Sequence, residues 1–402
     1  MTKSNLKSLK RTALVGMIAK RLSAINKASA GPVKDLYDYL PNRLARSLHP
    51  HVQYLKVADI IEYGADMKSF VLSPDPEKGT EKLAWFSAGQ YLSISLDVNG
   101  ATLCRPYSIA SSPRDTLSGK YMITVKRVQG GLASEYMLDN FSIGTEVVAS
   151  APLGDFTYEP LRDAETVVGI AGGSGITPFR SLAKAIKEGD ESCSLVLLYG
   201  SRTLDDAVFS DEIKSWSESC DKIKLVNVLS NEEKDGYEYG FITADLIKKY
   251  APDGEYSLFL CGPQAMYVAC DKEIEKLGVR QKFVRHELFG EYFHPENNAD
   301  YPGDIKAEYS VTVRFNGEVK TIRCKADVSL LRAMEAAGIR APSDCRSGRC
   351  GWCHSQLISG EVYVPESVDG RRMADKEFGY IHPCCTFPLS DVEIEVPSLP
   401  LA

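Results

Sequence analysis

The sequence has 402 residues and a formal net charge of −7 at neutral pH, with 44% hydrophobic and 25% charged residues. These proportions are those of a globular protein with room for two to four domains. It contains no run of about 18 apolar residues and no secretory signal, so no membrane-spanning segment is predicted. The 11 cysteines therefore indicate a reducing, cytoplasmic location, in which clustered cysteines bind metals or act in catalysis more often than they form disulfides.

Residues 1–50 form a basic section of their own. They hold ten Lys and Arg against two Asp, which leaves a net charge of −15 on the rest of the chain. Apolar residues recur at helical spacing in "LKSLKRTALVGMIAKRLSAI" (6–25), and Gly31 and Pro32 end the predicted helix. This helix could dock a partner enzyme, lie on an anionic membrane surface, form a mitochondrial-type presequence or pack on the next domain. The acidic remainder argues against nucleic-acid binding.

The pattern changes three times along the rest of the chain. Between 51 and 160, alternating runs such as "QYLSISLDV" are separated by Gly, Pro and Asp turns, which predicts an antiparallel barrel. From 161 to 289, apolar runs such as "SLVLLYG" alternate with helical stretches, which predicts a parallel α/β sheet. The segment 290–304, "GEYFHPENNADYPGD", has the composition of a linker. Residues 305–402 form the last predicted domain.

The last domain contains a cysteine motif, "DCRSGRCGWCHS" (344–355). Cys345, Cys350 and Cys353 have the spacing C-x4-C-x2-C, and "GYIHPCCTFPLSD" supplies Cys384 or Cys385 as a fourth thiolate. Plant-type [2Fe–2S] ferredoxins use this spacing with a distant fourth cysteine. Zinc is the main alternative, although its sites usually pair two C-x2–4-C elements and one end here offers a lone cysteine. A disulfide is the third interpretation.

Both stretches resemble plant-type [2Fe–2S] ferredoxins. The resemblance implies a β-grasp-type fold for 305–402, and its tail, in which the fourth ligand precedes a P-x-S-D turn, selects Cys384 and leaves Cys385 as a neighbour. Gly348 and Gly351 tolerate the unusual backbone angles that aim loop N–H groups at cluster sulfurs.

Positive charge lies inside this cysteine loop. Residues 305–402 hold 12 Lys and Arg against 13 Asp and Glu, whereas plant ferredoxins that dock to basic partners are strongly acidic. Arg346 and Arg349 favour the reduced cluster, so we expect a reduction potential above the roughly −400 mV of plant-type ferredoxins.

The predicted barrel contains "RPYSIASSP" (105–113), which resembles the R-x-Y-[ST] flavin motif of the ferredoxin–NADP reductase superfamily. The resemblance implies that Arg105, followed by Pro106, binds a flavin phosphate as a fork. Tyr107 would lie against the isoalloxazine ring, and Ser108 would hydrogen-bond near its N5 as a catalytic residue. The implied flavin is FAD, with FMN as the alternative. "GGLAS" resembles the second phosphate site of the family, with Gly130, Gly131 and Ser134 as its residues.

The predicted parallel sheet contains "GIAGGSGITPFRSL" (169–182), which follows a buried strand and opens a helix. Its G-G-x-G-I-T-P form resembles the nicotinamide-binding loop of the same superfamily. The implied cofactor-binding residues are Gly172, Gly173, Gly175, Thr177 and Pro178. "LFLCGPQAMY" resembles the family's C-G-P element, in which Cys261 would act beside the nicotinamide and flavin rings, flanked by Gly262 and Pro263. Without that context, Cys261 would be assigned to the core.

The choice between NADH and NADPH depends on "SRTLDDAVF", which follows the strand "SLVLLYG". Arg202 could pair with the 2′-phosphate of NADPH, whereas Asp205 or Asp206 could accept hydrogen bonds from a free ribose and repel that phosphate. A solvated turn is the remaining interpretation. We favour NADH with Asp206 as its contact, and NADPH stays the alternative.

The resemblance covers residues 52–402 and implies a reductase component of the kind that feeds oxygenases, such as the phthalate dioxygenase reductase type. Glu287 and Phe289 would cover the flavin. Because a nicotinamide releases two electrons as a hydride and a cluster accepts one, a flavin must stand between them. We expect single-electron transfer to a terminal oxidoreductase or oxygenase-type protein. The alternative is a self-contained flavoenzyme that reduces a small molecule and uses the ferredoxin domain as an internal carrier.

Overall fold

The structure is a computed structural model that describes residues 16–27, 39–98, 101–287 and 292–397. It divides into two units, Met1–His49 and Pro50–Ala402. The first unit contains a helix over residues 16–27, α1, and the helix α2 (Leu40–Leu48). Residues 6–15 of the predicted helix, and the predicted break at Gly31 and Pro32, lie outside the described residues. No helix in the described ranges is long and apolar enough to cross a bilayer.

The second unit begins with the predicted antiparallel barrel. Its six strands are β1 (Gln53–Glu62), β2 (Met67–Pro74), β3 (Tyr91–Val98), β4 (Ala101–Ser108), β5 (Tyr121–Lys126) and β6 (Glu146–Ala149), in the order β4-β3-β6-β1-β2-β5. A bridge between Ile109 and Ile123 joins the end of β4 to β5, so the sheet nearly closes. Alternate side chains such as Phe70, Leu92 and Ile94 fill the interior. The helix α3 (Leu132–Asn140) follows β5.

A parallel sheet follows, as predicted. Its strands are β7 (Thr166–Gly172), β8 (Ser194–Ser201), β9 (Ile223–Leu229), β10 (Glu238–Tyr239), β11 (Ser257–Cys261) and β12 (Val284–Glu287), in the order β10-β9-β8-β7-β11-β12. Its helices are α4 (Ile176–Glu188), α5 (Ser210–Ser219), α6 (Ala244–Tyr250) and α7 (Gln264–Glu275). The first strand, β7, lies between β8 and β11, so the strand order reverses there. Ligands of such sheets bind at the carboxyl ends of the strands at this point.

The final section has the β-grasp arrangement. Its strands are β13 (Glu308–Phe315), β14 (Glu318–Lys325), β15 (Ser355–Ser359), β16 (Val362–Tyr363), β17 (Tyr380–Ile381), β18 (Phe387–Pro388) and β19 (Val392–Glu395), and its helices are α8 (Leu330–Ala336) and α9 (Met373–Glu377). The main sheet has the order β14-β13-β19-β15-β17, with β13 and β19 parallel, and β16 pairs with β18. Buried Leu330, Leu331 and Met334 of α8 belong to the same core as the sheet residues Val313 and Ile394.

The predicted linker packs on this final section. The Tyr363 hydroxyl donates to Asp300 Oδ1 over 2.8 Å, and the Tyr301 ring meets the Tyr363 ring edge-on at 5.1 Å between centroids. Tyr292 packs against Phe387 in the same way. Residues 290 and 291 lie outside the described residues. The segment thus makes more contacts than its composition suggested, and the domain boundaries stay predictions.

Arg285 of β12 joins the parallel sheet to the connection that leaves the barrel. Its guanidinium forms an ion pair with Asp163, and both side chains are buried. It also donates to the carbonyls of Asp155 and Thr157 and lies 4.9 Å from the centroid of the Phe259 ring. The Arg285 guanidinium and the Asp163 carboxylate therefore compensate each other's charge at a buried site, and two carbonyls add further partners for the arginine.

We predict that Arg285→Met lowers the free energy of unfolding by about 3–5 kcal/mol, because it leaves the Asp163 carboxylate buried without its partner. Urea unfolding followed by circular dichroism measures this change. The double variant Arg285→Met/Asp163→Asn should recover part of the loss, since no uncompensated charge then remains. A single variant within about 1 kcal/mol of the unmodified protein would contradict the proposed role of the pair.

Candidate active site

The four predicted cluster ligands lie as two pairs of thiols. Cys353 Sγ is 3.4 Å from Cys384 Sγ, and the thiols of Cys345 and Cys350 are hydrogen-bond neighbours. In addition, the Cys350 N–H donates to Cys345 Sγ over 3.3 Å. Each iron of a [2Fe–2S] cluster takes two protein ligands, so this donor set fits such a cluster.

The backbone of the cysteine loop has the conformation that the glycines suggested. Gly348 and Gly351 have φ values of 78° and 71°. A Cβ on Gly348 would lie 2.1 Å from the Val368 carbonyl oxygen and 2.7 Å from Cys385 Sγ. The Cys385 thiol donates to the carbonyls of Val368 and His382. Cys384 thus pairs with Cys353, whereas the Cys385 thiol has backbone partners and also contacts the Cys384 thiol. The choice of Cys384 as the fourth ligand stays a prediction.

The predicted flavin residues lie along β4, at one edge of the strand order. Arg105 Nη1 donates to the Cys104 carbonyl over 2.9 Å and lies 3.4 Å from Glu335 Oε1. Tyr107 is half-buried against the barrel core, and burial raises its pKa to about 12 against the opposing effect of Arg105. Ser108 is buried. Because side chains alternate along a strand, Arg105 and Tyr107 share one face, and Pro106 and Ser108 share the other.

The predicted second phosphate site is the start of α3. Gly130 has a φ of 71° and open space where a Cβ would stand. Gly131 caps the helix, and a Cβ there would lie 2.8 Å from the Val128 carbonyl oxygen. The Gly130 N–H donates to the Glu135 carboxylate over 2.8 Å, and Ser134 Oγ accepts from the Val128 N–H. The Gly130 N–H thus already donates to a carboxylate of the same turn, and the phosphate site stays a prediction.

The two predicted nicotinamide motifs touch each other at the carboxyl ends of β7 and β11. A Cβ on Gly175 would lie 2.0 Å from the Cys261 carbonyl oxygen, and one on Gly172 would lie 3.0 Å from Pro263. Gly173 has a φ of 52°. A Cβ on Gly262 would lie 2.3 Å from Met266 Cε. At Gly175 only glycine permits the approach, because a Cβ would collide with the backbone of Cys261, so the two motifs pack directly against each other.

Two residues of the nicotinamide loop are not at its surface. Thr177 and Pro178 are buried in the first turn of α4, and the Thr177 hydroxyl donates to the Ser174 carbonyl. Their side chains therefore stabilise the turn at the start of α4 and do not line its surface.

At the end of β8, the predicted ribose-site residues bind each other. Arg202 Nη2 lies 3.1 Å from Asp206 Oδ1. Burial opposes ionisation of Asp206, but hydrogen bonds from Arg202 and Thr203 hold its pKa below the ordinary value. The arginine charge is therefore compensated.

The three sections meet around two buried side chains, Glu287 and Tyr91. Glu287 ends β12 beside Cys261, and burial, Asp155 and Cys345 raise the pKa of its carboxyl. The Tyr91 hydroxyl, from β3, donates to Asp344 Oδ2 over 3.1 Å, and burial together with Asp344, Cys345 and other neighbouring acidic groups raises the pKa of Tyr91. The barrel, the end of the parallel sheet and the cysteine loop therefore converge. Phe289 lies outside the described residues.

Sequence analysis missed Tyr91, Asp344 and Glu335. Glu335 binds Arg346, which is fully buried, so the carboxylate compensates the charge that was expected to raise the cluster potential. Of the two loop arginines, Arg349 alone is exposed. A signal for Glu335 exists, because it stands four residues after Leu331 on the apolar face of α8.

Comparison with known proteins places each section. Family models for an oxidoreductase FAD-binding domain, an oxidoreductase NAD-binding domain and a 2Fe-2S iron-sulfur cluster binding domain match residues 55–158, 170–272 and 313–389. The ferredoxin reductase component of 3-ketosteroid-9-alpha-monooxygenase from Rhodococcus rhodochrous is 30% identical over 347 residues, 84% of this chain and 94% of its own. The glycine betaine monooxygenase reductase subunit of Chromohalobacter salexigens is 27% identical over 360 residues, covering 85% and 94%.

Among solved structures, phthalate dioxygenase reductase matches with a TM-score of 0.60 and 26% identity, covering 86% of this chain and 97% of its own. The chain belongs to the flavoprotein reductases of the ferredoxin–NADP reductase superfamily that carry a C-terminal [2Fe–2S] domain. It is an oxidoreductase that takes electrons from NAD(P)H and passes them through FAD and a [2Fe–2S] cluster to a partner protein.

We predict that Cys384→Ser removes the iron–sulfur absorbance and leaves the flavin bound, because it breaks the pair with Cys353. Cys385→Ser should retain both chromophores, since its thiol faces carbonyl oxygens. Visible spectra and iron analysis of the purified variants measure the outcome. A Cys385 variant that loses its iron while the Cys384 variant keeps it would reverse the ligand assignment.

Proposed function

We propose that this protein is the reductase component of an oxygenase system, and that it supplies a separate oxygenase with single electrons from NADH. The observation that carries the proposal is the direct contact between the barrel and the cysteine loop, in which the Tyr91 hydroxyl donates to Asp344, the residue before Cys345. Electrons need such a junction to pass from a nicotinamide to a cluster within one chain. The relatives named above are reductase components of monooxygenases, which supports an oxygenase as the acceptor.

We assign the flavin to the outer edge of the barrel. Arg105 would bind its phosphate as a charged fork, Tyr107 would contact its ring, and Ser108 would hydrogen-bond near the reacting nitrogen. The start of α3 would hold the second phosphate of FAD. A bound flavin accepts a hydride and releases electrons singly. These assignments rest on the resemblance of the two motifs to the superfamily and are supported by the FAD-binding family model that matches residues 55–158.

We assign the nicotinamide to the crevice between β7 and β11. Gly172, Gly173 and Gly175 let the backbone approach the dinucleotide, and Cys261 would stand beside the two rings. Burial and then the nearby Glu287 raise the pKa of the Cys261 thiol well above its ordinary value. The thiol therefore stays neutral at physiological pH, so it would serve as a ring contact and not as a nucleophile.

The preference for NADH follows from the pair between Arg202 and Asp206. An arginine that recognises a 2′-phosphate must offer its charge to that phosphate. Here the Asp206 carboxylate would repel a phosphate, whereas a free ribose hydroxyl could donate to it. The ion pair favours NADH.

We also propose that residues 1–50 bind an acidic surface of the partner oxygenase. The helices α1 and α2 of this section have no Asp or Glu. Four of their apolar side chains are more than half exposed, namely Met17, Leu22, Leu40 and Leu44. Basic residues such as Lys20 accompany this apolar surface. Helices that combine apolar and basic faces bind complementary surfaces, and an anionic membrane is the competing target.

We predict that the unmodified protein reduces both ferricyanide and cytochrome c with NADH. Cys384→Ser should keep the ferricyanide activity, because ferricyanide accepts electrons from reduced flavin, and should lose most of the cytochrome c activity, because the cluster would be the exit for electrons to proteins. Spectrophotometric assays compare the two acceptors, with Cys385→Ser as the matched control. Undiminished cytochrome c reduction by the cluster-free variant would sink the proposed route and favour direct reduction of acceptors by the flavin.

We predict that deletion of residues 1–48 leaves NADH oxidation by ferricyanide nearly unchanged, because the proposed flavin and nicotinamide residues all lie beyond residue 100. Affinity for the cognate oxygenase should fall and should depend on salt, as expected for a basic docking surface. Binding titrations with the oxygenase measure this effect, with anionic lipid vesicles as the second ligand. Vesicle binding without an effect on the oxygenase would contradict the partner assignment.

A further inference from the structure

Glu335 forms a buried ion pair with an arginine of the cysteine loop. Arg346 Nη1 lies 2.6 Å from Glu335 Oε1, and Arg346 Nη2 lies 2.9 Å from Oε2. The side chains are 0% and 6% exposed. This bidentate geometry is the strong form of an arginine–carboxylate contact, and it fixes the direction of both side chains. Arg346 follows Cys345 directly, with a φ of 59°.

The same carboxylate also faces the flavin section. Glu335 Oε1 lies 3.4 Å from Nη1 of Arg105, which is 20% exposed on β4. The helix α8, which carries Glu335, packs against β4. One oxygen of Glu335 therefore lies between an arginine proposed to bind the flavin phosphate and an arginine inside the cluster loop. Tyr91 and Asp344 add a second polar contact between the same two sections.

If Glu335 only neutralised the charge of Arg346, it would have no need to contact Arg105 of the barrel as well. Surfaces between domains of one chain are usually free to move unless they are large and apolar. Glu335 contacts one arginine of the barrel and one arginine of the cysteine loop. Because both contacts use the same carboxylate, they restrict how the barrel and the loop can move relative to each other. Its site on the apolar face of α8, otherwise filled by leucine and methionine, places it at the boundary between the ferredoxin core and β4.

We propose that Glu335 is a positioning residue for electron transfer from flavin to cluster, which it serves by holding the cysteine loop against the flavin-binding strand. The proposal rests on the proposed function, in particular on the assignments of Arg105 and of the cluster cysteines. The flavin bound near Arg105 would supply one electron at a time, and the cluster held by the four cysteines would accept it. No covalent bond forms or breaks, and NADH supplies the electrons.

The test is Glu335→Gln in the full chain, which keeps the shape of the side chain and removes its charge. The matched control is Glu393→Gln, which removes a carboxylate paired with Arg314 on the ferredoxin sheet. Anaerobic stopped-flow absorbance separates flavin reduction by NADH from the later reduction of the cluster. Cluster reduction should slow several-fold in Glu335→Gln, because the rate of electron transfer falls steeply as the distance between the flavin and the cluster grows. Flavin reduction should stay within about twofold, and the control should change neither step.

Two further measurements separate positioning from a purely structural role. Hydrogen–deuterium exchange should increase in peptides that contain β4 in Glu335→Gln and stay unchanged in the control. Glu335→Asp keeps the charge for Arg346 but shortens the reach, so it should retain the cluster and still slow its reduction, even where Glu335→Gln loses iron. Unchanged cluster reduction in both variants would overturn the proposal. An unmodified protein whose cluster NADH does not reduce would instead overturn the proposed function.

Discussion

Electron transfer within this chain depends on three independent sheets ending at one place. The parallel sheet contributes the ends of β11 and β12, with Cys261 and Glu287 side by side. The barrel contributes Tyr91 and the edge strand β4, and the ferredoxin section contributes its cysteine loop. These elements are strand ends, a sheet edge and a loop. Such parts of a fold can present functional groups without disturbing the hydrophobic core.

Burial at this junction has an electrostatic consequence. Glu287 and Asp344 are acidic groups whose pKa values are raised mainly by burial, that of Asp344 to about 6 against the opposing hydrogen bond from Tyr91. Arg346 would add positive charge, but Glu335 compensates it. The charge around the cluster loop is therefore less positive than the sequence "CRSGRC" suggested, and of the two loop arginines only Arg349 still supports a raised reduction potential.

The sequence predicted the parts of the protein that depend on local rules. Periodicity and turn residues predicted the barrel and the parallel sheet, because these patterns follow from which face of a strand is buried. The glycines of the nicotinamide loop were predictable for a similar reason, since only glycine permits the contact between Gly175 and Cys261. The choice of Cys384 over Cys385 rests on the resemblance of the tail to ferredoxins and stays a prediction.

Contacts between the sections could not be predicted from the sequence, and the reason is physical. Glu335 and Arg105 are 230 residues apart, and nothing in either local pattern encodes their meeting. The packing of the predicted linker is a similar case, because a composition rich in Pro, Asn and Asp indicates turns and does not exclude a tyrosine such as Tyr301 from packing on Tyr363. Long-range pairing of charged and aromatic groups depends on how folded sections dock, and one sequence does not carry that information in its periodicity.

The basic N-terminal section stands apart from this redox apparatus on two grounds. The family models begin at residue 55. The alignments cover 94% of each relative but only 85% and 84% of this chain. Its exposed apolar side chains would lower the solubility of a protein that kept them in water. These features agree with the proposal that residues 1–50 bind a partner, because binding would bury the apolar surface and compensate the positive charge together.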